Sequence, residues 1–421
     1  MKTVLLQKLD TGALDDALRR LYGTPDRARA RRVVESFAER YGEHAGSAAL
    51  FSAPGRTEIG GNHTDHQHGR VLCGSVNLDM IACAAPNALE EIRIYSEGYG
   101  ASAVELADLS PREDERGTTV ALVRGVAAGI AALGHPVSGF DACVHSNVIA
   151  GSGLSSSAAF EVLVGTILNR FFCQNRLDSI AIAKISQMAE RDYYGKPCGL
   201  MDQMGSAVGG AVAIDFADPE NPVVERVGYD FSTSGHALCI IDTGSSHDDL
   251  TEDYAAVARE MSAVAGCFGR EHLREVPEEL FRAELNRVRE TCGDRAVLRA
   301  WHFYSENRRA ALEADALREG DFARFLALVN ESGLSSVCDL ENIWSPARPQ
   351  RQAVSLALSV GRELLGGRGA IRVHGGGFAG TVQAFVPQEL LEPFRAGIEA
   401  VFGEGKCHVL FIRPDGGCEI K

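Results

Sequence analysis

Apolar positions in this chain recur at helical spacing in some stretches. In others they form short runs closed by Gly, Pro and polar clusters. Helical spacing predicts helices over 118–133, 154–172, 178–194, 250–265, 296–318, 322–331 and 350–365, with a basic amphipathic helix at 27–41. In the segment 154–172, Ala158, Val162, Leu163, Ile167 and Phe171 form one buried stripe. Short apolar runs predict strands at 48–53, 141–148, 211–216, 237–242, 370–374, 381–386 and 408–412. The polar, glycine-punctuated stretch 54–69 reads as a loop. Strands and helices mix without a regular βαβ rhythm, so the fold class expected is α+β.

Length changes this picture first. A chain of 421 residues exceeds one ordinary core and suits two domains. The strongest break is Asp218-Pro-Glu-Asn-Pro222, giving an expected division into 1–217 and 218–421. Charge narrows the partners. With 42 basic and 57 acidic residues the formal charge is −15, which opposes binding to nucleic acid or an anionic membrane. The opening apolar run is too short for a signal peptide. The eleven cysteines are scattered and form no C-x-x-C pair. A reduced, cytoplasmic protein acting on small molecules is expected.

Three glycine-rich stations carry candidate chemistry. The first is Ala150-Gly-Ser-Gly-Leu-Ser-Ser-Ser-Ala-Ala159, joining a strand to a helix. Glycines let backbone N–H groups crowd around an anion, and the helix N-terminus adds partial positive charge. Glu161 lies one helical turn after Ser157, so a hydroxyl and a carboxylate share a face suited to Mg²⁺. No Gly-Lys-Ser/Thr follows, so this is not a Walker A loop. A flexible turn with a serine cap is the plainer reading, and the three serines with Glu161 favour phosphate binding over it. The second station is Pro54-Gly-Arg-Thr-Glu-Ile-Gly-Gly-Asn-His-Thr-Asp-His-Gln-His-Gly69. Its Arg, Asn, His and Asp can hydrogen-bond several sugar hydroxyls. A metal site from His63, Asp65, His66 and His68 is the rival reading, although no helical His pair enforces it. The third station is Val373-His-Gly-Gly-Gly-Phe-Ala-Gly380, suited to close backbone approach or to a tight hairpin.

Together and in this order, the three stations resemble the GHMP small-molecule kinases, and among them the galactokinases. Pro54-Gly55-Arg56 and His63-Thr64-Asp65 are similar to the galactokinase sugar signature. Gly151–Ala159 is similar to the phosphate loop and Gly375–Gly380 to the third motif. Cys198-Gly-Leu-Met-Asp-Gln203 resembles the segment that carries the catalytic aspartate. The resemblance implies two α+β domains with the active site between them. It implies ATP and Mg²⁺, and transfer of phosphate to the anomeric C1 hydroxyl of galactose. By position it implies Asp202 as the base and Arg56 beside the reaction centre. Asn62, His63, Asp65, the Gly199 backbone and Tyr254 fall at sugar contacts. Gly151, Ser152, Gly153, Leu154, Ser155, Ser156 and Ser157 fall at the nucleotide, with Ser157 and Glu161 on the magnesium side.

Three departures bear on substrate and mechanism. Asn62 stands where the signature carries Glu, expected at the sugar 6-hydroxyl. A galacturonate would set a second carboxylate there. Two such groups about 4 Å apart repel by roughly 4 kcal/mol at an effective dielectric near 20, and Asn62 removes that repulsion. A galacturonate 1-kinase is thus the alternative substrate reading, supported by a run similar to plant galacturonokinases. Ser246 replaces an Arg expected near the catalytic carboxylate. Glu58 stands where Asn is common, free to pair with Arg56 or to shape the loop. A catalytically silent sugar and ATP sensor is the rival class; an intact phosphate loop and Asp202 argue for the enzyme. His63-Thr64-Asp65 and Tyr254 argue against non-sugar members of the superfamily.

Overall fold

The computed structural model describes residues 4–149, 153–245 and 250–421. Its frame is a long antiparallel pair, β1 (Ala49–Gly60) and β2 (Arg70–Pro86). Around it lie β3 (Glu91–Ser96), β4 (Gly100–Glu105), β5 (Phe140–Ser146), β6 (Ala211–Asp215) and β7 (Val223–Val227). The remaining strands are β8 (His236–Asp242), β9 (Ala370–His374), β10 (Thr381–Pro387), β11 (Cys407–Leu410) and β12 (Cys418–Ile420).

The first sheet has the order β12-β1-β2-β5-β3-β4, with β6 on the other half of β2 and β7 on β6. β2 is long enough to serve both neighbours. Arg70–Gly74 pairs with β6 and Met80–Pro86 pairs with β5. Only β3–β5 is parallel within this sheet. The second sheet, β11-β8-β10-β9, is antiparallel throughout.

Helices Thr119–Ala132, Ser156–Phe172, Ser179–Met188 and Met201–Val208 pack on one face of the first sheet. The N-terminal helices, including Arg27–Arg40, cover its other face with Leu18, Leu21, Val33 and Phe37. Ala353–Leu365 and Leu391–Phe402 cover the second sheet. Between the two sheets runs the long helix Asp294–Arg318, packed against β2 and against Phe322–Ser335. This mixture of segregated helices and mostly antiparallel strands is α+β.

Two expectations change. The stretch 54–69 is not a loop from its start: β1 runs on to Gly60, buried along nearly its whole length. Its register slips between Pro54 and Arg56 and again between Glu58 and Gly60. Such bulges absorb an extra residue and re-aim side chains, which frees Arg56 from the ladder's strict alternation. The break at 218–222 is the turn of the β6–β7 hairpin. The passage between sheets therefore falls after β7, later than 217, and β12 returns the chain end to the first sheet. Among the described residues no helix is long and apolar enough to cross a membrane.

Candidate active site

Asp202 lies in the first turn of the helix Met201–Val208, and its carboxylate meets the second station through Arg56. Arg56 Nε donates to Asp202 Oδ1 at 2.8 Å, and Nη2 lies 2.6 Å from the same oxygen. Arg56 Nη1 donates to the Gly153 carbonyl, and the Arg56 N–H donates to the Leu154 carbonyl at 3.0 Å. Gly55 permits this approach: a Cβ there would sit 2.7 Å from the Leu154 oxygen. Ser155 takes a left-handed backbone, φ 54°, and its hydroxyl donates to Asp202 Oδ2 instead of capping the following helix. Burial pushes Asp202 upward, but the charge of Arg56 and the hydrogen bonds from Ser155 and Arg56 outweigh it, and the carboxyl stays below its usual value. Lys196 adds to that effect. Arg56 therefore does not act alone in keeping Asp202 ionised. The Asp202 side chain keeps 26% of its surface open, so a hydroxyl can reach it.

A second cluster lies one helical step away. Ser157 Oγ donates to Glu190 Oε1 at 2.8 Å, and Lys196 Nζ lies 2.8 Å from the same oxygen. Gln203 Nε2 bridges Glu190 Oε2 at 2.8 Å and Glu161 Oε2 at 3.2 Å. The helix predicted to 194 widens after Met188 into a π-turn, Ala189–Tyr194, and this turn delivers Glu190. Glu161 is fully buried, with Oε1 lacking a partner. Burial first, then the charge of Glu190, pushes its carboxyl well above the usual range. The expected magnesium pair Ser157–Glu161 is thus corrected. The carboxylate beside Ser157 is Glu190, and a protonated, sealed Glu161 is a poor ligand. Ser157 and Glu190 fit a hard divalent cation, being two oxygen donors flanked by a lysine that tolerates phosphate.

The rest of the signature interlocks with the third station. Asn62 Nδ2 donates to Glu58 Oε1 at 2.8 Å and to the Gly375 carbonyl at 2.7 Å, while its Oδ1 accepts from Asn342 at 2.8 Å. It is completely buried, so the expected sugar contact from its amide is not what the structure presents. Glu58 pairs with Arg372 at 2.7 Å, not with Arg56. The Glu and Asn positions of the family signature are therefore exchanged, and the two side chains touch. His63 Nε2 donates to the Gly376 carbonyl at 2.9 Å and Tyr254 Oη to the Gly377 carbonyl at 2.8 Å. His374 links Thr57 at 3.0 Å to Thr381 at 2.9 Å. Glu306, on the long helix, accepts from the Gly61 and Asn62 N–H groups at 3.1 and 3.3 Å.

Asp65 faces Gly199, where any Cβ would collide with its Oδ2. Burial, with help from the charges of Glu58 and Asp202, pushes Asp65 up to about 6 against the lowering effect of the His66 N–H. Asp65 and Gly199 line a cavity of about 820 Å³ together with His66, His68, Lys184 and Arg191. The quartet His63, Asp65, His66 and His68 does not converge as a metal site among the described residues. His63 and His66 instead meet edge to face, centroids 5.5 Å apart. Leu154 is buried in the core, and its backbone carbonyl is what meets Arg56. Gly151, Ser152, Ser246 and His247 lie outside the described residues. Glu190, Lys196, Gln203, Arg372 and Asn342 were not anticipated. Only Gln203 carried a sequence signal, as the neighbour of Asp202.

Known proteins resemble this chain in sequence and fold. Residues 121–210 match the GHMP kinases N terminal domain, and residues 35–86 match the galactokinase galactose-binding signature. A galactokinase of Streptomyces coelicolor is 30% identical over 374 residues, 88% of this chain and 92% of that protein. The crystal structure of Lactococcus lactis galactokinase complexed with galactose shares the fold, with a TM-score of 0.76 at 23% identity, over 92% of this chain and 99% of that one. Methanococcus jannaschii mevalonate kinase is more distant, with a TM-score of 0.61 at 15% identity over 87% and 99% of the two chains. A signature that supplies the arginine, a phosphate loop that supplies the serine and a helix start that supplies the aspartate meet here as one cluster, and this chain belongs to the galactokinase family of GHMP kinases.

Proposed function

We propose that this protein transfers the terminal phosphoryl group of ATP to the C1 hydroxyl of galactose, with residues 151–157 and 190–203 holding the nucleotide side and the signature holding the sugar. The observation that carries this reading is the junction of Asp202 with Arg56 and Ser155. There an ionised carboxylate sits between the two glycine-rich stations. Phosphoryl transfer asks the protein for positioning and charge neutralisation above all. Asp202 accepts the C1 hydroxyl proton as the oxygen attacks the phosphorus. Arg56 holds Asp202 in the ionised state and offsets negative charge at the reaction centre. Gly153 and Ser155–Ser157 present backbone N–H groups at a helix start, where phosphate oxygens are favoured.

Ser157 and Glu190 would hold Mg²⁺, which supplies charge neutralisation on the phosphate oxygens when bound. Asp65, with Gly199 leaving room beside it, accepts sugar hydroxyls, while His63 and Tyr254 shape the pocket through the third station. The two sheets, with this junction beside β1 of the first, act as two domains. The free cysteines and acidic charge suit a reduced cytoplasmic setting.

Galacturonate loses the basis it had in the sequence. The Asn62 amide is fully engaged, and Arg372 behind it is spent on Glu58 and the Ile59 carbonyl, so neither offers a donor to a sugar carboxylate. ADP release measured across galactose, glucose, hexosamines and galacturonate tests the assignment. Galactose should give the highest kcat/KM, and a preference for the uronate would overturn it. Asp202→Asn should lower kcat by about a hundredfold or more while sugar still binds. Full activity in that variant would remove the base assignment, and silence of the native chain toward every sugar would restore the sensor reading.

A further inference from the structure

The signature loop ends in a histidine on the wall of the cavity shared with Asp65 and Gly199. His68 closes the turn Asp65–Gln67 in a left-handed conformation, φ 60°, with its N–H bonded to the Asp65 carbonyl at 3.0 Å. Its ring stacks on His272, centroids 3.7 Å apart and planes 20° apart. His272 Nδ1 lies 3.2 Å from Glu275 Oε1. One donor atom from each of these three residues falls within 4.8 Å of the others. The two halves are positioned before any ligand arrives. Gln67, beside His68, accepts from the Leu273 N–H at 2.9 Å and donates to Ser262 at 3.1 Å. That ties the signature to the turn bearing His272 and Glu275.

We propose that His68, His272 and Glu275 form a binding site for a divalent transition-metal ion of the Zn²⁺ or Ni²⁺ class, at the rim of the cavity that also holds Asp65 and Gly199. Two imidazoles and a carboxylate suit such an ion and suit Mg²⁺ poorly. Donors around a tetrahedral ion bound at 2.0–2.1 Å lie about 3.4 Å apart, so modest rotamer changes close the present spread. His68 and His272 remain partly open, which leaves an entry path and room for water ligands. His66 lines the same cavity with both ring nitrogens buried and unpartnered. This site is distinct from the Ser157–Glu190 pair and does not depend on the kinase assignment.

The test is calorimetric titration of the full-length protein with NiCl₂ and with ZnCl₂. One site per chain is expected, with no competition from MgCl₂. His272→Ala, whose backbone is ordinary at φ −127°, should weaken it at least about tenfold, as should His68→Asn, in which Asn tolerates the left-handed turn. Glu275→Gln should weaken it less. Both ions should raise the Tm of the native chain and leave that of the His68→Asn/His272→Ala double variant unmoved. Undiminished affinity in that double variant would place the metal elsewhere, for instance on exposed Cys338, and would overturn the proposal. Absence of a site in the native chain would also overturn it.

Discussion

Glu161 and Glu190 are both buried carboxylates, and only one has a cation beside it. Lys196 meets Glu190, whereas Glu161 has the Gln203 amide and an oxygen with no partner. Glu161→Gln should therefore leave kcat nearly unchanged, while Glu190→Gln should lower it about a hundredfold and raise the Mg²⁺ requirement. The sign of the pH effect follows. The folded value of Glu161 lies above its unfolded value of 4.5, so the folded state keeps a proton that the unfolded state releases. Its contribution is full below that value and is lost as pH rises, so Glu161→Gln should gain stability relative to the native chain from about pH 5 upward. Parallel denaturation curves across pH would contradict a protonated Glu161. Asp65 gives a second titration, raised to about 6. An ionised carboxylate accepts from two hydroxyls, so the galactose KM should fall as pH rises through about 6, and Asp65→Asn should flatten that step. A native profile without the step would separate Asp65 from the sugar. The residue scale is also where sequence reading erred most. Asn62 looked like a sugar contact because its burial, and its partners Gly375 and Asn342, come from segments far away in sequence; only Glu58 is local.

Helix contacts set the π-turn that carries Glu190. In the helix Thr119–Ala132, Gly125 faces Ala189, and a Cβ there would stand 2.7 Å from the Ala189 Cβ and 2.8 Å from its Cα. Gly125→Ala gains up to about 1 kcal/mol of helix propensity, but overpacking against backbone costs about 1–3 kcal/mol. The net should be a lower Tm and a raised Mg²⁺ requirement, because Ala189 moves with Glu190; a Tm rise with unchanged magnesium response would mean that the π-turn yields freely. At this scale the sequence was legible where periodicity is local. The helices 119–132, 156–172 and 294–318 and strands β8–β10 fell close to expectation. The continuation of β1 past Pro54 was hidden because Pro, Gly and charged residues suggest a loop, while bulges and two-sided burial make a strand of it. β2 was missed because serving β5 on one half and β6 on the other breaks any single alternation. The junction of Asp202 with Arg56 and Ser155 joins two segments that the sequence marked out by small residues and one acid in fixed order.

At the scale of the molecule, the N-terminal helices, the central sheet and the returning chain end are joined at one buried charge. Asp79 on β2 is fully buried and accepts from Tyr22 at 2.8 Å. It pairs with Arg29 at 2.5 Å and with Arg413 at 3.2 Å, and Ser52 on β1 donates to it as well. Burial pushes this carboxyl up, yet the two arginines and Ser52 overcome that and hold it below its usual value. A depressed folded value means that the stabilisation is present above the unfolded value of 3.8 and is lost as pH falls through the lower folded value. Removing the acid strands Arg413, which is itself fully buried, so Asp79→Ala should cost about 3–5 kcal/mol, measured by urea denaturation at neutral pH. The variant should also lose part of the native chain's extra destabilisation below about pH 4, since the group that must be protonated there is gone. Asp79 touches neither Asp202 nor the Ser157–Glu190 pair, so kcat per folded molecule should stay near the native value. A variant of native stability would mean that the arginines find other partners and that β12 and the N-terminal helices hold to the sheet by their apolar faces alone.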